Sequence, residues 1–462
     1  MAHLRQQVSR LSRRRMICSG DTVVADVDRS GAGAETSMRP CSVPDATGAL
    51  QEAVMDAVGL NSQVRKAGGD RAGHPSTAVT GHLPVRPDTG GRGPLRVAML
   101  APPWIPVPPP GYGGIEWVVH LLCDGLVERG VQVTLFAAPG SHSRAEVWPV
   151  LPRTYPERIE RALHEADHVA RVFDEVENAR LQGRPFDVIH DHCGFTAFAM
   201  ADRISTPVVH TLHGPFDADT VEFYRHHASK AVAVAISKSQ AAAAPCELRI
   251  AAVVPNPTDV DASQFSADKD DYVLWVGRMV PEKGPHRAIA AAKAAGVNLV
   301  LAAPVQPGQE EFFRTEVEPH VDGDRVRYLG EVGGAAKQRL FASARGLLMP
   351  IRWCEPFGMV MVEALSAGTP VIAFSEGAAP EIVEHGTTGY LVADEGEMAS
   401  AIADLSDIDP HTCRARAKLR FGKAEVATRY EATYRAVIRE QHLRSRLAAA
   451  PTPALLMPNS DS

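Results

Sequence analysis

The sequence predicts an α/β protein made of two doubly wound parallel-sheet domains that face a central cleft. Three observations predict it. Strand-like apolar runs alternate with helix-like periodicity from residue 95 onward. The alternation stops in a stretch rich in Asp, Pro and Ser, residues 255–271, and then begins again. The charged and glycine-containing clusters fall just after strand-like runs, where sheets of this kind bind ligands. A βα alternation builds a parallel sheet with helices on both faces. With two such sheets, the gap between them is the natural site.

Composition sets the outer limits. The 462 residues are ample for two domains, and an apolar fraction of 45% fits a globular chain. No run approaches the roughly 18 apolar residues of a membrane span. A net charge of -7 argues against a nucleic-acid partner. Seven cysteines without a C-x-x-C point to reduced thiols, hence a cytoplasmic protein, and not to a disulfide framework. Residues 1–94 hold Gly, Ser, Asp and Arg clusters with little periodicity. Ser12-Arg-Arg-Arg15 resembles a twin-arginine signal, but Asp21, Asp26 and Asp28 stand where an apolar segment must follow. The expectation is a disordered extension or a start codon assigned too far upstream. Residues 448–462 read as a loose tail.

Order begins with a buried-type strand at 95–100. A proline-rich loop, 102–110, leads to Gly111-Tyr-Gly-Gly-Ile-Glu116. A helix follows, with Val118, Val119, Leu122, Leu126 and Val127 on one face, and a second strand covers 131–136. This βαβ unit lacks G-x-G-x-x-G, which argues against hydride transfer. Gly113 and Gly114 at the helix start either let backbone approach a phosphate or form a plain flexible loop. Helical periodicity covers 156–181, strands 187–190, 207–213, 230–236 and 249–254, with a helix at 237–244.

The second alternation has strands at 272–276, 298–303, 326–329, 346–349 and 370–374. Helices fill 285–295, 309–317, 335–344 and 359–367. Arg278 and Lys283 leave the end of its first strand. They read as a diphosphate clamp or as ordinary surface charge. Glu355 and Glu363 bracket Pro356-Phe-Gly358, and Met359, Val362 and Leu365 then recur at helical spacing. A helix N-terminus offers unpaired N–H groups to an anion, and flanking carboxylates can accept hydroxyls. A nucleotide sugar supplies both. The other reading is carboxylates that only complement the helix dipole.

Several motifs occur in one order: Gly277-Arg278-x4-Lys283-Gly284, Glu355-Pro-Phe-Gly-x4-Glu363, Ala367-Gly-Thr-Pro370 and Ala379-Pro-Glu-Ile382. Together they resemble the donor half of the retaining family 4 glycosyltransferases, whose fold is GT-B, two Rossmann-like domains. Gly111-Tyr-Gly-Gly-Ile-Glu116, Asp187-Val-Ile-His190, His210-x-x-His213 and Ile236-Ser237 resemble the acceptor half. The resemblance runs from about residue 95 to the helix near Tyr434. It implies an acceptor domain at 95–258, a nucleotide-sugar domain at 259–423, and a helix at 424–447 that crosses back to the first domain.

The resemblance also implies roles. Arg278 and Lys283 would hold the diphosphate and Glu363 the ribose. Glu355 would lie beside the transferred sugar. The N–H groups after Phe357, at Gly358, Met359 and Val360, would meet sugar or phosphate oxygens. Gly114, beside Gly113, would face the diphosphate, and His213 the sugar near its anomeric centre. The implied reaction is metal-independent hexosyl transfer of class EC 2.4, with retention and no cofactor. The partners would be a nucleotide sugar and a small-molecule, glycan or lipid acceptor. Two departures stand out. Pro255-Asn-Pro257 replaces an Asn-Gly turn, which touches hinge geometry. Arg352-Trp353-Cys354 replaces the usual loop before Glu355, and Cys354 reads as a neighbouring thiol, not a nucleophile.

Two other functions compete. A GT-B sugar-nucleotide epimerase would bind the same donor and need no acceptor. His164-Glu-Ala-Asp-His168 matches the zinc-hydrolase pattern H-E-x-x-H, but no third ligand follows at the expected spacing. His190-Asp-His192 reads as cleft lining.

Overall fold

The computed structural model describes residues 93–449 apart from Tyr112 and Glu160. Expectations for residues 1–92 and 450–462 lie outside the described residues. The first half contains β1 (Arg96–Leu100), α1 (Gly114–Glu128), β2 (Gln132–Phe136), β3 (Glu146–Val147), α2 (Ala162–Leu181), β4 (Val188–Asp191), α3 (Thr196–Met200), β5 (Val208–Thr211), α4 (Ala218–His227), β6 (Val232–Ala235), α5 (Lys238–Ala243) and β7 (Ile250–Val253). Its strands form one sheet of order β3-β2-β1-β4-β5-β6-β7, and every pairing is parallel.

The second half contains β8 (Val273–Val276), α6 (Pro285–Ala295), β9 (Leu299–Ala302), α7 (Glu310–Phe312), β10 (Val326–Tyr328), α8 (Gly334–Ser343), β11 (Gly346–Met349), α9 (Met359–Ser366), β12 (Val371–Phe374), α10 (Ala379–Ile382), β13 (Gly389–Val392), α11 (Glu395–Ala403), α12 (Pro410–Phe421) and α13 (Lys423–Ala449). Its sheet has the order β10-β9-β8-β11-β12-β13, again all parallel.

Strand composition explains the layering. In β1, Val97 and Met99 enter one apolar cluster, and Ala98 and Leu100 enter another on the opposite face. In β8, Leu274 goes one way, and Val273 and Trp275 go the other. A strand buried on both faces must be apolar throughout, which is why these runs show no polar alternation. Helix α13 places Val426, Ala427, Tyr430, Tyr434 and Val437 in the same cluster as Val97, Met99 and Leu122 of the first half. Among the described residues no helix is long and apolar enough to cross a membrane.

Some elements differ from expectation. The helix expected at 156–181 begins at Ala162, after a separate 3-10 turn at Pro156–Arg158, because Ile159 takes an extended backbone. The helix expected at 309–317 is one turn, α7, that widens into a π turn at Phe313–Val317 ahead of Pro319. Strand β13 and helix α4 were not expected. The first is four residues opened by a glycine, and the second starts with a capping box between Asp217 and Thr220.

Candidate active site

Each sheet reverses its winding direction once, between β1 and β4 in the first and between β8 and β11 in the second. Ligands of open parallel sheets bind outside the carboxyl ends of strands at such a reversal. The sequence-predicted residues follow this rule. Gly113 and Gly114 lie between β1 and α1, Arg278 and Lys283 between β8 and α6, and Glu355 between β11 and α9. His213 follows β5, the neighbour of β4.

Because β8 and β11 are adjacent, their loops meet. Lys283 Nζ forms an ion pair with Glu355 Oε2, and both side chains are largely buried. Trp353 Nε1 donates to the same oxygen at 2.9 Å. Lys283 Nζ also lies 5.0 Å from the centroid of the Trp353 ring. Glu355 Oε1 has no donor among the described residues. The backbone that carries Glu355 is pinned by Gly377, whose φ is +53° and where a Cβ would lie 2.4 Å from Glu355 N. Any side chain there would push the carboxylate out of place.

Gly358 forms the N-cap of α9 with φ 91°, a conformation costly for residues with a Cβ. Met359 and Val360 follow as first-turn residues, so their N–H groups have no acceptor within the helix. The Phe357 side chain does something else. Its ring is buried in the core against Phe421, with centroids 5.9 Å apart, so only its backbone faces the helix mouth. One turn into α9, Glu363 meets Lys337 of α8. Lys337 Nζ is 2.9 Å from each carboxylate oxygen and hydrogen-bonds Oε1. The buried Oε2 receives no donor with hydrogen-bonding geometry. Arg278 is exposed and has no side-chain partner among the described residues.

His213 sits at the outer end of a buried polar row. Its Nε2 is 2.9 Å from His192 Nδ1, and His192 Nε2 is 3.3 Å from His190 Nδ1. Burial drives the imidazoles of His190 and His192 well below their ordinary range, and neighbouring histidines add to the shift. Burial, then His210, pulls His213 down to about 3, although the residue as a whole is only half-buried. At Gly114 an added Cβ would meet nothing within 4 Å, whereas at Gly113 it would strike Pro109 and Glu116. The space beside Gly114 is therefore open, and that beside Gly113 is filled. Burial also raises the Glu116 carboxyl above its usual range.

The zinc pattern does not assemble. His168 is fully buried, and neither ring nitrogen finds a hydrogen-bond partner of good geometry. His164 stacks on Tyr155 at 4.1 Å, with Arg158 Nη1 3.3 Å from its Nε2. Glu165 accepts from Phe195 N and Thr196 N, both at 2.9 Å, at the start of α3. Among the described residues no three His, Cys, Asp or Glu side chains are grouped to hold a metal. Cys354 is exposed beside the ion pair. Sequence reasoning missed the partners: the indole donor of Trp353, Lys337, and Tyr430 and Tyr434 behind the histidines. A tryptophan two residues before a site carboxylate was the one available signal.

Comparison with known proteins agrees with this layout. A model described as Glycosyltransferase Family 4 matches residues 112–262, and one described as Glycosyl transferases group 1 matches residues 258–420. The D-inositol 3-phosphate glycosyltransferase of Mycolicibacterium smegmatis is 27% identical over 369 residues, covering 69% of this chain and 85% of the relative. That of Streptomyces scabiei is 25% identical over 397 residues, covering 73% and 88%. The crystal structure of AviGT4, a glycosyltransferase of avilamycin A biosynthesis, is similar with a TM-score of 0.55 and 29% identity, over 75% of this chain and 99% of that one. Anabaena HepE, solved with UDP and glucose, has a TM-score of 0.56 at 22% identity, over 74% and 100%, and so shares the fold. With both halves matched in order along residues 112–420, on two parallel sheets whose winding reverses where the site loops emerge, the chain belongs to the family 4 glycosyltransferases of the GT-B fold.

Proposed function

We propose that the chain transfers a hexosyl group from a nucleotide-diphosphate sugar to a hydroxyl acceptor, with retention of anomeric configuration and without a metal. The observation that carries this reading is the contact of Lys283, Trp353 and Glu355 at the mouth of α9, with Arg278 unengaged on the same loop as Lys283. An ammonium has three donors, so Lys283 can keep Glu355 and still meet a phosphate. Arg278, Lys283 and the first-turn N–H groups of α9 hold the diphosphate. They stabilise the negative charge that grows as it departs. Glu363 accepts from the ribose, and Glu355 Oε1 from the sugar. His213 contacts the sugar from the first domain, and Gly114 leaves room for the diphosphate.

The bond from the anomeric carbon to the diphosphate oxygen breaks, and a bond to the acceptor oxygen forms on the same face. The acceptor proton passes to the departing phosphate. An oxocarbenium-like centre beside the Glu355 carboxylate is stabilised by its charge. The relatives named for D-inositol 3-phosphate put phosphorylated polyols first among acceptors to try. The test is a thermal-shift screen of nucleotide sugars, followed by transfer to polyol phosphates, polyols and glycans with the product anomer read by NMR. An inverted anomer overturns the retaining mechanism. Complete, reversible loss of turnover in EDTA overturns the metal-free one. An epimerised nucleotide sugar formed from donor alone would make the protein an epimerase.

A further inference from the structure

Glu363 lies one turn into α9, and Lys337 reaches it from α8. The two helices pack together, with Phe341 and Ala342 of α8 in the same apolar cluster as Met361 and Val362 of α9. Lys337 Nζ donates to Glu363 Oε1 at 2.9 Å and lies at the same distance from Oε2. It is also 5.6 Å from the centroid of the Phe341 ring, which is buried one turn further along α8. One packed pair of helices thus carries the lysine, the ring beneath it and the carboxylate.

Nothing in α8 itself calls for this lysine. Lys337 is the fourth residue of the helix, close to the end where the dipole disfavours a cation. Both side chains of the pair are 31% exposed, and an ion pair so open to water adds little to stability. What the pair does fix is the Glu363 side chain. A free glutamate loses rotamer freedom when a ligand ties it down, and that loss weakens binding. A carboxylate already held avoids it. With about four lone-pair sites, the carboxylate can accept from the ammonium and from hydroxyls together.

We infer that Lys337 is a positioning residue for nucleotide recognition, which holds the Glu363 carboxylate ready for the ribose hydroxyls. The inference rests on the transferase reading above, in which Glu363 takes the ribose. Lys337 acts through Glu363, so it sets how strongly the site prefers a nucleotide with 2′- and 3′-hydroxyls over one without them. Its effect on the rest of the nucleotide is the same for both forms.

The test compares full-length wild type with Lys337→Met, which keeps an unbranched chain over Phe341 and removes the donor. The ligands are whichever of UDP, GDP and ADP raises the melting temperature most, and its 2′,3′-dideoxy analogue. Calorimetry gives the ratio of the two affinities. The wild type is expected to favour the ribonucleotide. In Lys337→Met that ratio is expected to fall by about tenfold, the scale of one lost hydrogen bond to a charged group. General damage to the site, or a direct contact of Lys337 with the phosphates, weakens both forms alike. A ratio unchanged in Lys337→Met therefore overturns the inference, whether or not the affinities themselves drop. Should that variant not fold, Lys337→Ala carries the same expectation. In a Glu363→Gln background Lys337→Met is expected to change the ratio no further, and a further fall overturns the route through Glu363. A wild type that binds both forms equally removes the ribose role of Glu363 and the inference with it. A wild-type preference that survives in Lys337→Met sinks the inference alone and leaves that role in place.

Discussion

Lys283 and Glu355 share one short contact, yet their expected roles divide by reaction stage. Lys283 meets charge that is greater in the transition state than in bound donor, so its loss falls on turnover. Lys283→Ala is expected to lower the single-turnover rate by about 10²–10³-fold. Glu355→Gln keeps size and an acceptor oxygen but removes the charge beside the anomeric centre. It should leave nucleotide diphosphate affinity intact and still slow transfer. A wild-type rate for Glu355→Gln would reduce that carboxylate to a partner of Lys283 and Trp353. Trp353 binds Glu355 Oε2 through its indole N–H. Trp353→Phe retains a ring over Lys283 and removes that donor, so a slower rate at unchanged nucleotide affinity would assign the effect to the hydrogen bond. At the ribose end, Glu363→Ala removes an acceptor for hydroxyls in a partly buried place. Calorimetry is expected to show nucleotide binding weaker by about 1–3 kcal/mol. Unchanged affinity would mean that Glu363 serves only Lys337.

Helix α2 and the ends of β4 and β5 carry histidines that the fold holds without charge. Burial pulls the His168 imidazole down to about 4, and the nearby Ala101 backbone offsets this only in part. In the unfolded chain a histidine titrates near 6.5. Between those values the unfolded state takes up a proton that the folded state refuses, so stability must fall as pH falls. His168 alone accounts for about 3 kcal/mol across that window, and His190, His192 and His213 act in the same direction. Urea midpoints are expected to drop from pH 7 to pH 5, with a shallower drop in His168→Met. A flat profile would mean that these rings are not buried neutral.

The same elements show what a sequence can reveal. Strands such as β1, β5 and β12 were legible because burial on both faces demands short apolar runs. The β8 and β11 loops were legible as cations after one strand and carboxylates after another. Their contact was not, because β11 pairs with β8 only by passing over β9 and β10. Nor was the histidine row. Its tyrosines lie at 430 and 434 on α13, and at that spacing they look like any apolar helix face.

At the scale of the whole molecule the two sheets must be held in register for the cleft to work. Two motifs, one from each half, do part of this. Glu381 of α10 accepts from the backbone N–H groups of Lys238 and Ser239, both at 2.7 Å. These are the first residues of α5, whose own N-cap, Ser237, bonds Gln240 N at 2.9 Å. A carboxylate from the second half thus completes the N-terminus of a helix in the first half, where the dipole favours negative charge. Arg420 donates to the Ile382 carbonyl at 3.1 Å and steadies the far end of α10. Removal of the carboxylate leaves two N–H groups to water and loosens the link between the halves. Glu381→Ala is expected to cost about 0.5–2 kcal/mol, the range for loss of a helix cap. Amide exchange should quicken most in α5, and donor KM should rise because the first domain's Gly114 and His213 are no longer held toward the nucleotide-sugar loops. Unchanged exchange in α5 and unchanged donor KM would show that the halves are held by the α13 crossing alone, through the packing of Tyr430, Tyr434 and Val437.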